Sequence, residues 1–207
     1  MSLVALGVTG GIGAYKAVDV ARGLQKAGHD VVVVMTRSAT KFVGPLTFEA
    51  ITRHRVITRQ FDRGTNVSVE HVELATSIGL LLVAPATANL IGKLAVGIAD
   101  DFLSTLYLAT RAPVLLAPAM NTNMWEHAAV QANLRVLEGR GVRVVEPGEG
   151  FLACGWTGKG RLAEPADVVE AACRILSSRA SSLDGRRVLV TAGPTYEDID
   201  PVRVIGH

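Results

Sequence analysis

Five short apolar runs recur along the chain, each closed by a polar or Pro/Gly-rich stretch: Leu3–Val8, Val31–Met35, Ile78–Ala84, Val114–Ala117 and Val142–Val145. Runs this short, bounded by turn formers, predict buried strands. Between them the apolar positions return at helical spacing, which predicts helices at Ala14–Ala27, Leu46–Thr52, Leu90–Val96, Phe102–Ala109 and Ala128–Glu138. Strand and helix alternate, so the pattern predicts an α/β fold: a doubly wound parallel sheet in three layers. Valine, alanine, leucine and glycine dominate and aromatics reach only 5%. That suits strands covered on both faces.

In open sheets of this kind ligands bind beyond the carboxyl ends of the strands. The segments that follow the runs are TGGIGAYK (9–16), TRSATKF (36–42), PATANL (85–90), PAMNTNMW (118–125) and PGEGFLACGWTGKGR (147–161). All are polar or glycine-rich, and all fall on one edge. A pocket is expected there rather than a set of plain turns. The first, glycine-rich and opening a helix, suits a phosphate. A dinucleotide site also needs an acid at the end of the second strand. That position reads Met35-Thr36-Arg37-Ser38. It points away from NAD and toward a mononucleotide phosphate or another anion.

Composition narrows the picture further. The 207 residues are 49% hydrophobic and 19% charged, enough for one domain with a sizeable core. A net charge of +2 gives no case for nucleic acid or an anionic membrane. The five histidines are dispersed, so no metal site is expected. Cys173 lies in the helical pattern VVEAACRIL and is expected in the core. Cys154 lies in FLACGWTGKGRL, which has no helical or strand period; a disulfide between the two is not expected. The start MSLVALGVTGG has neither a basic leader nor a membrane-length run, and a reduced, cytoplasmic protein is expected. Residues 177–185, SSRASSLDG, read as a linker, and RRVLVTAGPT opens a fresh strand and turn. The expected domains are 1–178 and the truncated opening of a second at 186–207, joined by a linker at 179–185.

Five motifs, in one order, resemble a single family: TGGIGAYK, EHVELA (70–75), APATANLIGKLAVGIADD (84–101), APAMNTNMW (117–125) and ACGWTGKGR (153–161). The chain resembles the flavin-dependent cysteine decarboxylases, and more narrowly the phosphopantothenoylcysteine decarboxylase half of the bifunctional coenzyme A enzymes. Residues 185–205, GRRVLVTAGPTYEDIDPVRVI, resemble the opening of the phosphopantothenate–cysteine ligase half. The resemblance implies a Rossmann-like or flavodoxin-like flavoprotein that binds FMN; CTP and Mg2+ would serve only the ligase half. It implies a homotrimer or a dodecamer of trimers with the flavin between protomers, which makes residues 97–105 an interface segment. Leu90, Trp156 and the SIG at 77–79 depart from the usual pattern.

The implied reaction converts 4′-phosphopantothenoylcysteine to 4′-phosphopantetheine through a thioaldehyde and an enethiolate. His71 matches the family's active-site histidine, as base or orienting group. Asn121 would hold the substrate carboxylate, and Cys154, on a flap, would give the proton to the enethiolate. Met124 either contacts substrate or packs; Lys159 and Arg161 give the flap positive charge toward substrate. Gly10, Gly11, Ile12, Thr36, Ser38, Thr87, Ala88, Asn89 and Ala119 carry over as FMN contacts, with Ser104 and Thr105 as further ones. Asp100 and Asp101 read as surface or interface charges. Three other readings remain: a peptidyl-cysteine decarboxylase, a flavin prenyltransferase, against which ACGWTGKGR speaks, and a non-catalytic flavin-binding regulatory relative.

Overall fold

The computed structural model describes residues 1–60, 70–151, 155, 157–180, 196–198 and 204–206. Cys154 and Trp156 therefore lie outside the described residues, as does most of 181–207. Five parallel strands form the sheet: β1 (Leu3–Val8), β2 (Asp30–Met35), β3 (Leu80–Ala86), β4 (Val114–Pro118) and β5 (Arg143–Val144). Their order is β2-β1-β3-β4-β5. The chain steps outward in one direction from β1 and then in the other, so β1 and β3 flank the switch point of a doubly wound sheet.

Period-two alternation divides each central strand between two cores. Val4, Leu6 and Val8 of β1, with Leu80, Leu82 and Ala84 of β3, face one. There they meet α1 (Lys16–Lys26), α2 (Pro45–Thr52) and α8 (Pro165–Ala180). Ala5, Leu81 and Val83 face the other, under α3 (Glu70–Ser77), α4 (Ala88–Val96), α5 (Phe102–Ala109) and α7 (Ala128–Gly139). A fully buried leucine such as Leu82 contributes about 1.5–3 kcal/mol of transfer free energy. Two glycines allow close packing of these layers. A Cβ at Gly7 would sit 2.7 Å from Leu103 Cδ1, and one at Gly23 would sit 2.7 Å from Val169 Cγ2.

Boundaries differ from the sequence expectation where pairing overrides composition. The third strand begins at Leu80 because Leu80 pairs with Val4, while Gly79 already donates its N–H to the Leu3 carbonyl from the preceding turn. The last strand shrinks to two residues at the sheet edge. The first helix opens as a 3-10 turn over Ile12–Tyr15, and a second such turn spans Ala39–Lys41. Helix α6 (Thr122–Glu126) and the antiparallel hairpin β6 (Gly148–Phe151) and β7 (Thr157–Arg161) were not apparent in the apolar pattern. The hairpin sets Gly150 opposite Gly158 at its centre and has only Phe151 as an apolar residue in its strands, so it leaves no apolar alternation. Helix α8 continues through Ala180, past the start of the expected linker. Cys173, expected in the core, is a half-buried free thiol on α8 whose pKa is raised by desolvation. Beyond α8, β8 (Tyr196–Asp198) pairs with β9 (Val204–Gly206). Among the described residues no helix is long and apolar enough to cross a membrane.

Candidate active site

Beyond the carboxyl ends of β1, β2, β3 and β4 lies a cleft of about 920 Å³. Thr9, buried just past the end of β1, ties the first turn to the end of β3. Its hydroxyl donates to the Pro85 carbonyl at 2.7 Å and accepts the Thr87 N–H at 3.1 Å. This threonine was missed as a site residue; its signal is a hydroxyl on the first residue after the strand.

The first turn lies against the second. A Cβ at Gly10 would overlap that of Ser38 and sit 2.9 Å from the Ser38 carbonyl carbon, so only glycine fits. Gly11 N–H donates to the Thr9 carbonyl and Ala14 N–H to the Gly11 carbonyl. The N–H groups of Gly10 and Ile12 have no acceptor among the described residues. Beside them stand exposed Ser38 and the Arg37 guanidinium, which also has no partner among the described residues. Unpaired N–H groups at a helix start, next to a hydroxyl and a fixed cation, form an anion cradle. Thr36 completes the turn: its N–H donates to the Val8 carbonyl and its hydroxyl accepts from Ala39 N–H.

The third wall is Thr87, which precedes α4, with Ala88 and Asn89 on its first turn. The fourth is the loop after β4. Ala119 there is tied by its N–H to the Ala86 carbonyl. Asn121 caps α6, its Oδ1 accepting the Asn123 N–H at 2.8 Å. Met124, on α6, is exposed and lines the cleft.

The hairpin closes one side. Gly158 passes over Thr122, where a Cβ would sit 2.6 Å from the hydroxyl oxygen, and Met120 N–H donates to the Gly160 carbonyl at 2.9 Å. Arg161 lines the cleft. Lys159 does not: it pairs with Glu146 and lies 5.8 Å above the ring of buried Trp125.

The cleft thus gathers the predicted residues of the first four strand ends, with Arg161, in one space. It does not gather His71, Ser104 or Thr105. His71, on the first turn of α3, is half-buried with its ring edge-on to Phe102, 6.5 Å between centroids, outside the cleft. Ser104 is fully buried in a capping box with Asp101. Thr105 donates to the Asp101 carbonyl and accepts from Gln60 Nε2. Neither lines the cleft of this chain.

Two charge clusters border the cleft; Asp100, Asp101 and Arg161 were noted from the sequence, but their partners Lys93, Lys16 and Glu164 were not. Lys93 lies 2.7 Å from Asp100 Oδ1 and 3.5 Å from Asp101 Oδ2. The hydrogen bond with Asp100 raises the Lys93 pKa, and the same bond lowers that of Asp100. Lys16, whose side chain is only 10% exposed, holds both oxygens of Glu164 at 3.1 and 3.2 Å. Arg161 reaches Glu164 Oε1 at 2.9 Å. The hydrogen bond from Lys16 depresses the Glu164 pKa.

A doubly wound sheet with an anion cradle on the turns after β1 and β2, in a cleft that runs on past the ends of β3 and β4, defines an α/β protein built to bind a phosphorylated ligand. Residues 2–177 match the family model described as Flavoprotein, and the chain belongs to that family. Residues 183–207 match the DNA/pantothenate metabolism flavoprotein C-terminal domain. The chain is 51% identical over 201 residues to the coenzyme A biosynthesis bifunctional protein CoaBC of Bacillus subtilis, covering 97% of this chain and 50% of that protein. It therefore spans about half the length of the curated relatives it matches. Among solved structures it is similar to the FMN-dependent cysteine decarboxylase SpaF (TM-score 0.76, 34% identity, 87% of this chain and 98% of that one). It is also similar to a cysteine-to-serine mutant of PPC decarboxylase complexed with pantothenoylaminoethenethiol (TM-score 0.75, 26% identity, 85% and 98%).

Proposed function

We propose that this chain is an FMN-dependent decarboxylase that converts 4′-phosphopantothenoylcysteine to 4′-phosphopantetheine in coenzyme A biosynthesis. One observation carries this reading. A single cleft joins the anion cradle at Gly10 and Ser38 to the Asn121 loop, beneath a hairpin whose connection carries Cys154 in sequence. The names of the relatives support the choice of substrate.

The residues present fit a flavin mononucleotide. Gly10 is a place a Cβ would fill, and the unpaired N–H groups of Gly10 and Ile12, with Ser38 and Arg37, suit its phosphate. Thr36, Thr87, Ala88, Asn89 and Ala119 would hold the rest. When bound, FMN supplies a reversible two-electron sink, which the cysteine moiety needs because direct loss of CO₂ would leave an unstabilised carbanion.

The chain's own groups orient and protonate. Asn121, which caps α6 through Oδ1, would hold the substrate carboxylate, since an amide binds an anion without protonating it. Arg161 adds a cation on the same side, and Met124 packs over the substrate. Cys154 is the proton donor; a thiol with an ordinary pKa of about 8.5 holds its proton near neutral pH. His71 acts as base or orienting group and would reach the cleft of a second copy, in the homotrimer or dodecamer of trimers expected from the motifs. Exposed Val96, Ile98 and Leu108 near residues 97–105 suit such an interface. The segment 186–207 would open a CTP- and Mg2+-dependent ligase half.

The experiment is a comparison of turnover on phosphopantothenoylcysteine and on a cysteine-terminated peptide by the FMN-loaded protein. Preference for the first supports the reading. Preference for the peptide replaces it with a peptidyl-cysteine decarboxylase, and turnover of neither leaves a flavin-binding regulatory protein.

A further inference from the structure

Residues 160–164 cross the cleft from one functional loop to the other. At one end, Gly160 is held by the Met120 N–H, next to Asn121. In the middle, Arg161 and Leu162 line the cleft. At the other end the segment meets the glycine turn twice. Leu162 packs on Gly13, 3.5 Å from where a Cβ would be, and Glu164 takes both its oxygens to Lys16. Lys16 is the first residue of α1 and directly follows the 3-10 turn Ile12–Tyr15. It is 8% exposed, which is low for a lysine with a single carboxylate partner. Glu164 is also the acceptor for Arg161. One carboxylate thus joins a cation of the sheet-borne turn to a cation of the hairpin.

We propose that Lys16 and Glu164 are positioning residues that couple the phosphate cradle to the hairpin, so that a phosphate monoester bound at the turn orders residues 158–162. The proposal rests on the FMN reading above. A phosphate on the Gly10 and Ile12 N–H groups fixes the turn from which Gly13 and Lys16 project. Leu162 and Glu164 then dock on a rigid partner, and Arg161 is held toward the cleft. The ordering entropy of the hairpin's return strand is met when the cofactor binds, and substrate binding bears less of it. Linkage makes the effect reciprocal: substrate tightens FMN by the factor by which FMN tightens substrate.

The test is amide hydrogen exchange of peptides covering 158–162 in the full chain, with FMN, with riboflavin, which lacks the phosphate, and with neither. FMN slows exchange there by about tenfold or more, within the usual range of coupling between sites, and riboflavin has little effect. Glu164→Gln and Lys16→Met each abolish the slowing while still binding FMN; Lys16→Arg, which keeps the charge, preserves it. Equal slowing by FMN and riboflavin, or slowing that survives both Glu164→Gln and Lys16→Met, overturns the proposal. If substrate is not turned over but FMN still slows exchange, the decarboxylase reading falls and the coupling stands. If FMN does not bind, both fall.

Discussion

Gly160 and Met120 are joined in two ways. The Met120 N–H donates to the Gly160 carbonyl at 2.9 Å, and Gly160 lies so close to the Met120 carbonyl that a Cβ there would overlap its oxygen. Gly160 also holds φ +142, a conformation that side-chain-bearing residues rarely adopt. The hairpin is therefore seated on the loop that presents Asn121. Gly160→Ala is expected to destabilise the protein by about 1–3 kcal/mol through overpacking and to raise the substrate KM more than it weakens flavin binding. Thermal unfolding and steady-state kinetics on one preparation check this.

Gly10→Ala separates the first and second turns, because the new methyl meets Ser38 backbone as well as side chain. FMN affinity is expected to fall by about tenfold or more, as for the loss of a hydrogen bond to a charged group. The sheet, of which Gly10 is not a part, keeps its far-UV circular dichroism. Fluorescence titration with FMN measures the loss.

His71 and Asn121 do not share a cleft within one chain. His71→Asn is expected to lower kcat/KM by about 10²–10⁴-fold, the usual range for a general base, and Asn121→Ala to do so independently. If each site draws His71 from a second copy, mixing the two inactive variants under subunit exchange restores part of the activity. Failure to complement, in a preparation shown to exchange subunits, contradicts the shared site.

The pair Lys93–Asp100 carries a pH signature. The Asp100 pKa is depressed, so its contribution is present above its unfolded value of about 3.9 and lost as pH falls through the lower folded value. The Lys93 pKa is raised, so its contribution is full below about 10.4 and lost as pH rises through the higher folded value. The Asp100 side chain is 55% exposed, so solvent screening keeps the effect below about 1 kcal/mol. Asp100→Asn is expected to lower Tm slightly at neutral pH, with the difference from the parent shrinking in strong acid.

Much of the fold was legible because the central strands are apolar runs with polar ends, and register between neighbours only trimmed them. The cradle was legible for the same reason: Gly10 and Ser38 follow adjacent strands. Other features leave no local pattern. The hairpin has glycine opposite glycine at its centre and little apolar alternation, and α6 is five residues long and starts on a capping Asn121. The Lys16–Glu164 pair spans 148 positions of sequence. Ser104 is an FMN contact only by motif; the structure adds its capping box with Asp101, which was not singled out from the sequence. That His71 stands apart from Asn121 depends on where α3 packs, against Phe102 of α5, which no motif encodes.

The measurement that tests the account most directly is anaerobic addition of phosphopantothenoylcysteine to the FMN-loaded chain, with CO₂ and product quantified together. The expected result is one CO₂ and one phosphopantetheine per substrate consumed, and a Cys154→Ser variant that releases CO₂ but stalls before phosphopantetheine. A flavin-loaded protein that releases no CO₂, or a serine variant that forms phosphopantetheine at the parent rate, would contradict it.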